Sequence, residues 1–254
     1  MTLAAVRMAG LEIVARRRRI LALLAFAALF LAAALTAAAV AGEEGHVEMD
    51  RLFQVGGYPL ISSVLLAGWL LGRFPLVATL VLLSGVVAGD RAEGHARILA
   101  SRPGSPAVLY GVRFLALAGI AFVLSAALMP AFDLIVLGEW AGPATFVLIL
   151  ANVLVWGGLT TLLSVVTRLD AWVVLMLALL AMVWSSLIAA GMMPLAPPLA
   201  ELVGFVLPPH SQMLRLEAAF ADLEPIPWDA FLFCAGYGAA TLLAAALLLR
   251  RREI

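Results

Sequence analysis

Long apolar runs dominate this sequence and determine the solvent in which most of it must fold. Runs long enough to cross a bilayer as a helix, which takes about 20 residues, lie at about 20–41, 107–129, 143–166, 171–191 and 229–249. Only 13% of the 254 residues are charged, against about 25% in ordinary soluble domains. The sequence therefore predicts an all-α integral membrane protein, because helices satisfy their own backbone groups in lipid.

A sixth apolar region, at 58–89, decides the topology because it could cross the membrane once or twice. A single crossing at about 68–89 places thirteen arginines and five acidic residues on one side of the membrane, and three arginines and eleven acidic residues on the other. The positive-inside rule assigns the arginine-rich side to the cytoplasm. We therefore expect six spans in one transmembrane domain over 1–254, with both termini in the cytoplasm.

Two readings of region 58–89 stay open, because Arg73 and Pro75 interrupt it. In the first, the crossing begins near Phe74, Arg73 reaches the outer interface, and residues 58–70 lead in along the outer leaflet. In the second, one long tilted helix is kinked at Pro75.

The chain also predicts short helices outside the spans. Residues 1–19, which mix apolar side chains with Arg7, Glu12 and the Arg16–Arg19 run, predict an interfacial helix that turns into the membrane at an arginine collar. A cleaved signal peptide is the alternative. The outer loop 192–228 carries seven prolines and predicts two short re-entrant or interfacial helices, at 199–206 and at 211–223 with Ser211 as N-cap.

Residue usage excludes several kinds of chemistry for this chain. All sixteen basic residues are arginine, so the chain lacks the lysine of a Walker A loop, and ATP and magnesium, if used, belong to a partner. The single Cys234 and three dispersed histidines have no metal-ligand spacing. Met192, Met193 and Met213 could contact Cu(I), but methionine is more often apolar filler. We expect no catalytic residue, metal site or bound cofactor here.

A polar stripe runs along the predicted fourth span. Its members recur at every fourth position and are Asn152, Trp156, Thr160 and Ser164. They could line a transport pathway or a dimer seam. Helix–helix contact is the alternative, favoured by Gly157 and Gly158, which allow close packing. No acidic residue lies in the middle of a span, so an ion-driven relay is disfavoured.

A compact charged segment at 90–106 separates the second and third spans. It predicts a surface helix from about Arg91 to Ala100, in which Gly94 lets another backbone approach and Pro103 ends the helix. Such a helix could receive the movement of a soluble subunit. An ordinary cytoplasmic loop that obeys the positive-inside rule is the alternative.

This segment resembles the membrane subunits of type-2 ABC exporters, whose pattern is roughly Asp/Glu-Arg-Glu-x-Gly-Thr-x-Arg-x-Leu-Leu-Ser-x-Pro. The matching residues are Asp90, Arg91, Glu93, Gly94, Arg97, Leu99, Ser101, Arg102 and Pro103. His95 replaces the usual threonine, and Gly104-Ser105-Pro106 replaces the usual turn. The N-terminal helix, the six-span plan and the tail Arg250–Glu253 are also similar, and the chain looks nearest to permeases of the nitrous oxide reductase maturation type.

The resemblance implies a permease of the bacterial inner membrane. A separate ATPase subunit would dock on the coupling segment 90–106 and near Arg16–Arg19. Two permease chains, identical or related, would form a shared path that opens to one side of the membrane and then to the other. The implied coupling residues are Asp90, Arg91, Glu93, Gly94, Arg97, Leu99, Arg102 and Pro103. This chain would itself be no enzyme and would bind no nucleic acid. A membrane scaffold that anchors a partner without transport is the alternative function, and the substrate stays open.

Overall fold

Helices form all the regular structure in the part of the chain that this computed structural model describes, which is residues 3–41, 73–94, 105–136, 140, 142–189, 207–221 and 225–251. The helices are α1 Leu3–Ala15, α2 Arg17–Ala41, α3 Phe74–Leu83, α4 Ala88–Ala92, α5 Pro106–Val136, α6 Ala144–Val166, α7 Asp170–Ala189, α8 His210–Ala221 and α9 Trp228–Arg251. The all-α prediction is confirmed.

Five segments are long and apolar enough to cross a membrane. They are Phe74–Ala92, Pro106–Ala131, Ala144–Val166, Asp170–Ile188 and Trp228–Arg250, and each overlaps one of the predicted spans. A multi-pass membrane protein is therefore supported. Helix α2 has 25 residues and coincides with the predicted first span; that it crosses, and that the spans number six, stay predictions.

Helix α6 is the centre of the bundle. Two thirds (67%) of its span is buried inside the chain, against 11% for α7, because α6 packs against α3, α5, α7, α8 and α9. Its closest neighbour is α9: a Cβ added at Gly158 would lie 2.8 Å from the Gly238 carbonyl oxygen. Glycine at both positions therefore lets the two backbones cross in contact.

The two ends of the bundle carry different sets of charged side chains. At one end Arg73, just before α3, pairs with Glu217 of α8. At the other end Arg16 donates to the Ser84 carbonyl just after α3. This second end also holds the start of α5 and the end of α9, because Tyr110 and Leu249 line one groove there. Described parts of the segments that a single crossing at 68–89 requires on one side thus lie at one end, and the single crossing itself stays a prediction.

The structure describes the second part of region 58–89, from Arg73 onward. Helix α3 begins at Phe74, and Pro75 lies in its first turn, where a proline costs no hydrogen bond. Pro75 therefore lies at the start of α3, and the two readings, which differ in what precedes Arg73, both stay predictions. Residues 58–72 lie outside the described residues.

The structure describes two of the three predicted short helices. Helix α1 occupies most of 1–19, and its interfacial position stays a prediction. Helix α8 matches the prediction at 211–223, but it begins at His210, so Ser211 lies within its first turn and is not the N-cap. The other predicted helix, 199–206, lies outside the described residues, as do Met192 and Met193.

Candidate functional site at a helix break

The segment Phe74–Ala92 is broken close to one end. Helix α3 ends at Leu83 and α4 begins at Ala88, and the four residues between them form a turn. Gly85 has a φ of +69°, in the left-handed region that favours glycine. The candidate span Phe74–Ala92 is therefore not one continuous helix. The break lies directly before the charged segment at 90–106.

Two arginines satisfy carbonyl groups at the end of α3. The Arg16 guanidinium donates to the Leu82 carbonyl and, at 2.9 Å, to the Ser84 carbonyl. Arg19 donates to the Val81 carbonyl at 3.0 Å and to Ser84 at 2.9 Å. The last carbonyls of a helix lack partners within that helix, and cationic side chains are favoured there. Two of the four arginines in the Arg16–Arg19 run thus stabilise the break.

Two other helices satisfy amide groups of the turn. The Asp170 carboxylate accepts from the Gly85 N–H at 2.6 Å. The Ser164 hydroxyl accepts from the N–H groups of Val87 and Ala88 at 3.1 Å and 3.0 Å. Asp170 and Ser164 are 3% and 0% exposed. The break is therefore a specific part of the fold. Its backbone groups that lack partners within a helix are hydrogen-bonded by side chains from α2, α6, α7 and the α1–α2 junction.

A buried chain of ion pairs connects the break to α1 and α5. Arg16 donates to Glu12 at 2.8 Å, the other Glu12 oxygen accepts from Arg113 at 2.7 Å, and Arg113 also pairs with Asp90. The Tyr110 hydroxyl donates to Asp90 at 3.0 Å. Glu12, Arg16, Arg113 and Asp90, here called the Glu12–Asp90 network, carry two positive and two negative charges.

Burial strengthens the interactions between the charged side chains of the Glu12–Asp90 network. The side chains of Glu12, Arg113 and Asp90 are only 9%, 11% and 14% exposed, so each charge depends on its partners for stabilisation. Burial lowers the pKa of the Arg16 guanidinium, and its hydrogen bond to Glu12 opposes this shift. The network links the N-terminal helix to Asp90, the first residue of the predicted coupling segment.

The structure describes the beginning of the predicted coupling residues. Asp90 belongs to the network, and Arg91 donates to the Val165 carbonyl at the end of α6 at 2.6 Å. Glu93 and Gly94 are exposed, and Gly94 has a φ of +74°. Four further predicted coupling residues, Arg97, Leu99, Arg102 and Pro103, lie outside the described residues.

The structure describes only the first four residues of the predicted surface helix, Arg91 to Gly94. Arg91 and Ala92 end helix α4 and residues 93–94 form a turn, so the prediction of one helix from about Arg91 is wrong at its start, while residues 95–100 lie outside the described residues. A Cβ at Gly94 would meet nothing within 4 Å. The described residues thus explain this glycine by its left-handed conformation, which ends a helix, and not by close approach of another backbone.

The polar stripe of α6 lies inside the chain. Asn152 donates to the Leu148 carbonyl at 3.0 Å, Trp156 donates to the Asn152 side chain at 3.1 Å, and Thr160 donates to the Trp156 carbonyl at 2.6 Å. The four stripe residues, Ser164 included, are at most 3% exposed. A dimer seam needs exposed side chains, so the stripe does not lie on one in this structure. Its role in a pathway stays a prediction.

The opposite end of the bundle holds a partly buried cluster of Arg73, Glu217 and His210. Arg73 and Glu217 form an ion pair with about a fifth of each side chain exposed. Burial raises the pKa of Glu217, and Arg73 opposes this rise. Burial, and then the charge of Arg73, lowers the pKa of His210 from its ordinary 6.5. His210 is therefore neutral in the folded protein to lower pH than in the unfolded chain.

This difference predicts a pH-dependent stability that His210 controls. Below about pH 6.5 the unfolded chain binds a proton at His210 that the folded protein does not, so the free energy of unfolding falls as the pH falls. Glu217 acts in the opposite direction, because its raised pKa makes the folded protein bind the extra proton. We expect the melting temperature in detergent to fall less for His210→Gln than for the wild type as the pH is lowered from 7.5 to 5.5. The difference between the two proteins should reach a few degrees. Parallel curves for the two proteins would contradict the prediction.

Several residues of the site were not predicted as such. Arg113 is a charged residue inside the apolar stretch 107–129, a pattern that by itself marks a functional position with a partner. Glu12 is the one acidic residue among 1–19, and Asp170 is the first residue of α7. Sequence distance hid their partners, since Asp170 and Gly85 are 85 residues apart.

Neither a candidate metal site among the described residues nor a known relative helps to assign a function. Among the described residues no three His, Cys, Asp or Glu side chains are grouped so that they could hold a metal ion. No family model, curated protein or solved structure matches the chain.

Proposed function

We propose that this chain is the permease subunit of a type-2 ATP-binding cassette exporter in the bacterial inner membrane. A separate ATPase subunit binds ATP and magnesium and docks on the coupling segment 90–106. Two permease chains, identical or related, form the transport unit, and both termini of each face the cytoplasm.

The observation that carries the proposal is the attachment of the coupling segment. Its first two residues, Asp90 and Arg91, contact α5 and the end of α6, and they follow a break that is held by side chains of several other helices. A charged surface loop with no mechanical role needs none of these contacts. The motif at 90–103 supplies the chemical class of the partner through its resemblance to the exporter pattern.

The geometry suggests how force would be transmitted. Helix α4 has five residues and is joined to α3 by the turn 84–87, so a push on the coupling segment can reorient α4 without bending α3. The Glu12–Asp90 network would pass the same movement to α1 and α5. Rigid movement of such units is what alternating access requires.

Loss of two charges of the coupling segment is expected to uncouple the ATPase. In the double variant Glu93→Ala/Arg97→Ala, we expect the ATPase activity that co-purifies with the chain from native membranes to fall about tenfold, as about 1.4 kcal/mol of docking energy would give. The measurement is affinity purification in mild detergent, identification of a P-loop ATPase by mass spectrometry, and an ATP hydrolysis assay.

Arg168→Ala is the matched control for this experiment. Arg168 is exposed in the turn between α6 and α7, at the same end of the bundle but outside the coupling segment. It should retain the wild-type activity. Equal ATPase recovery from all three proteins, or no ATPase with any of them, would rule out the exporter proposal.

A membrane scaffold is the second candidate function. The closed packing of the α6 stripe favours it, because these four polar side chains, at most 3% exposed, do not lie on an open path. A scaffold would bind its partner without stimulating ATP hydrolysis, so the same purification distinguishes the two candidates.

A further inference from the structure

An apolar groove runs between α5 and α9 at the end of the bundle where α5 begins and α9 ends. Its volume is about 260 Å³, and its lining includes Ala107, Gly111, Phe114, Thr161, Ala245 and Leu249. The groove exists because small residues face each other there: alanine or glycine at Ala107 and Gly111 of α5, and at Ala245 and Ala246 of α9.

The surroundings of the groove are those of a lipid-facing surface. Val108, Leu115, Leu243 and Leu247 lie beside it and are 48–69% exposed, on two helices that are apolar enough to cross a membrane. From Leu242 to Leu249 the groove extends about 10 Å along α9. That length is most of the hydrocarbon depth of one leaflet, about 15 Å, so a single acyl chain fits along it.

Positive charge follows the end of the groove. Leu249 lines its last turn, and the sequence continues with Arg250, Arg251 and Arg252. The Arg250 side chain is exposed. Arginines beside a gap between spanning helices are suited to a lipid phosphate, and they favour anionic over zwitterionic headgroups.

We propose that this groove binds a membrane phospholipid with an anionic headgroup. One acyl chain lies between α5 and α9, and the phosphate contacts Arg250. The volume is below the roughly 300 Å³ at which pockets begin to hold drug-sized ligands, which favours a single chain over a compact transported molecule. This site is independent of the proposed function.

Gly111→Leu tests the acyl-chain part of the proposal. A Cβ at Gly111 meets nothing within 4 Å, so a leucine side chain can occupy the groove without a clash. Gly119→Leu is the matched control: Gly119 lies on the same helix, is exposed, and also has no atom within 4 Å of an added Cβ, but it does not line the groove. Both variants should fold.

The measurement is native mass spectrometry of the full chain extracted from vesicles of equal phosphatidylglycerol and phosphatidylcholine. We expect phosphatidylglycerol to remain bound to the wild type and Gly119→Leu, and to fall about tenfold in Gly111→Leu, since each displaced CH₂ group changes binding about fourfold. Equal retention by both leucine variants would overturn the proposal. So would a change of oligomeric state confined to Gly111→Leu, which would assign the groove to a second copy of the chain.

Arg250→Gln tests the headgroup part. We expect the preference for phosphatidylglycerol over phosphatidylcholine to fall about fivefold in this variant and to stay unchanged in Arg168→Gln, which removes an exposed charge elsewhere at the same end. No preference in the wild type, or the same preference in both variants, would overturn the assignment of an anionic lipid.

Discussion

Arg113→Met is expected to lower the free energy of unfolding by about 3–5 kcal/mol. Arg113 pairs with both Glu12 and Asp90, so its loss leaves two buried carboxylates without their shared cation, while methionine preserves most of the apolar volume. The change should appear as a fall of roughly 10 °C in the melting temperature of the purified protein in detergent.

Two comparisons make this result specific to the network. Arg168→Met removes an exposed arginine at the same end of the bundle and should leave the melting temperature within about 2 °C of the wild type. The double variant Asp90→Asn/Arg113→Met removes one negative and one positive charge and should recover most of the loss, because Glu12 keeps its partner Arg16 and no buried charge stays unpaired. An equal shift for Arg113→Met and Arg168→Met would mean that the network contributes no special stability.

Ser164→Ala is expected to cost about 2–4 kcal/mol of unfolding free energy. The Ser164 hydroxyl accepts from two amides of the helix break, and a buried donor that loses its acceptor costs about 1–3 kcal/mol. The change should be measured by equilibrium unfolding in mixed micelles. Because the lost contacts hold the turn, protease cleavage between residues 84 and 94 should also become faster.

Ser125→Ala is the control for the loss of a buried hydroxyl. Ser125 is also 0% exposed, but its hydroxyl donates to the Ala121 carbonyl of its own helix at 2.7 Å, and removing it leaves no amide of a helix break without an acceptor. It should cost no more than about 1 kcal/mol. Similar losses for the two alanine variants would show that Ser164 does not stabilise the break.

The helical class and most helix boundaries could be predicted from the sequence, because hydrocarbon leaves few alternatives. Apolar length alone placed the predicted span 143–166 on α6, which is Ala144–Val166, and 229–249 on α9, which is Trp228–Arg251. Gly158 was correctly interpreted as a site of close helix contact, since a Cβ there would collide with the Gly238 carbonyl.

The break at 84–87 could not be predicted, because its stability comes from residues far away in the chain. Ser84-Gly85 inside an apolar run is a weak signal, and glycines are common in membrane helices. The decisive contributions come from Arg16, Ser164 and Asp170, which are 66 to 85 residues from the residues they contact. For the same reason the stripe pattern left Ser164 open between a pathway or dimer seam and helix–helix contact, and it did not predict that the hydroxyl holds a turn.

The order of synthesis has a consequence for the break. Arg16 and Arg19 leave the ribosome before α3, but the acceptors Ser164 and Asp170 follow it by some 80 residues. Until they arrive, the amides of Gly85, Val87 and Ala88 have no side-chain acceptor from either, and in lipid such groups bond within their own segment. We therefore expect the stretch 74–92 to enter the membrane as a continuous helix and to break only when α6 and α7 reach it, so that the charged segment after it takes its final position only when the bundle is nearly complete.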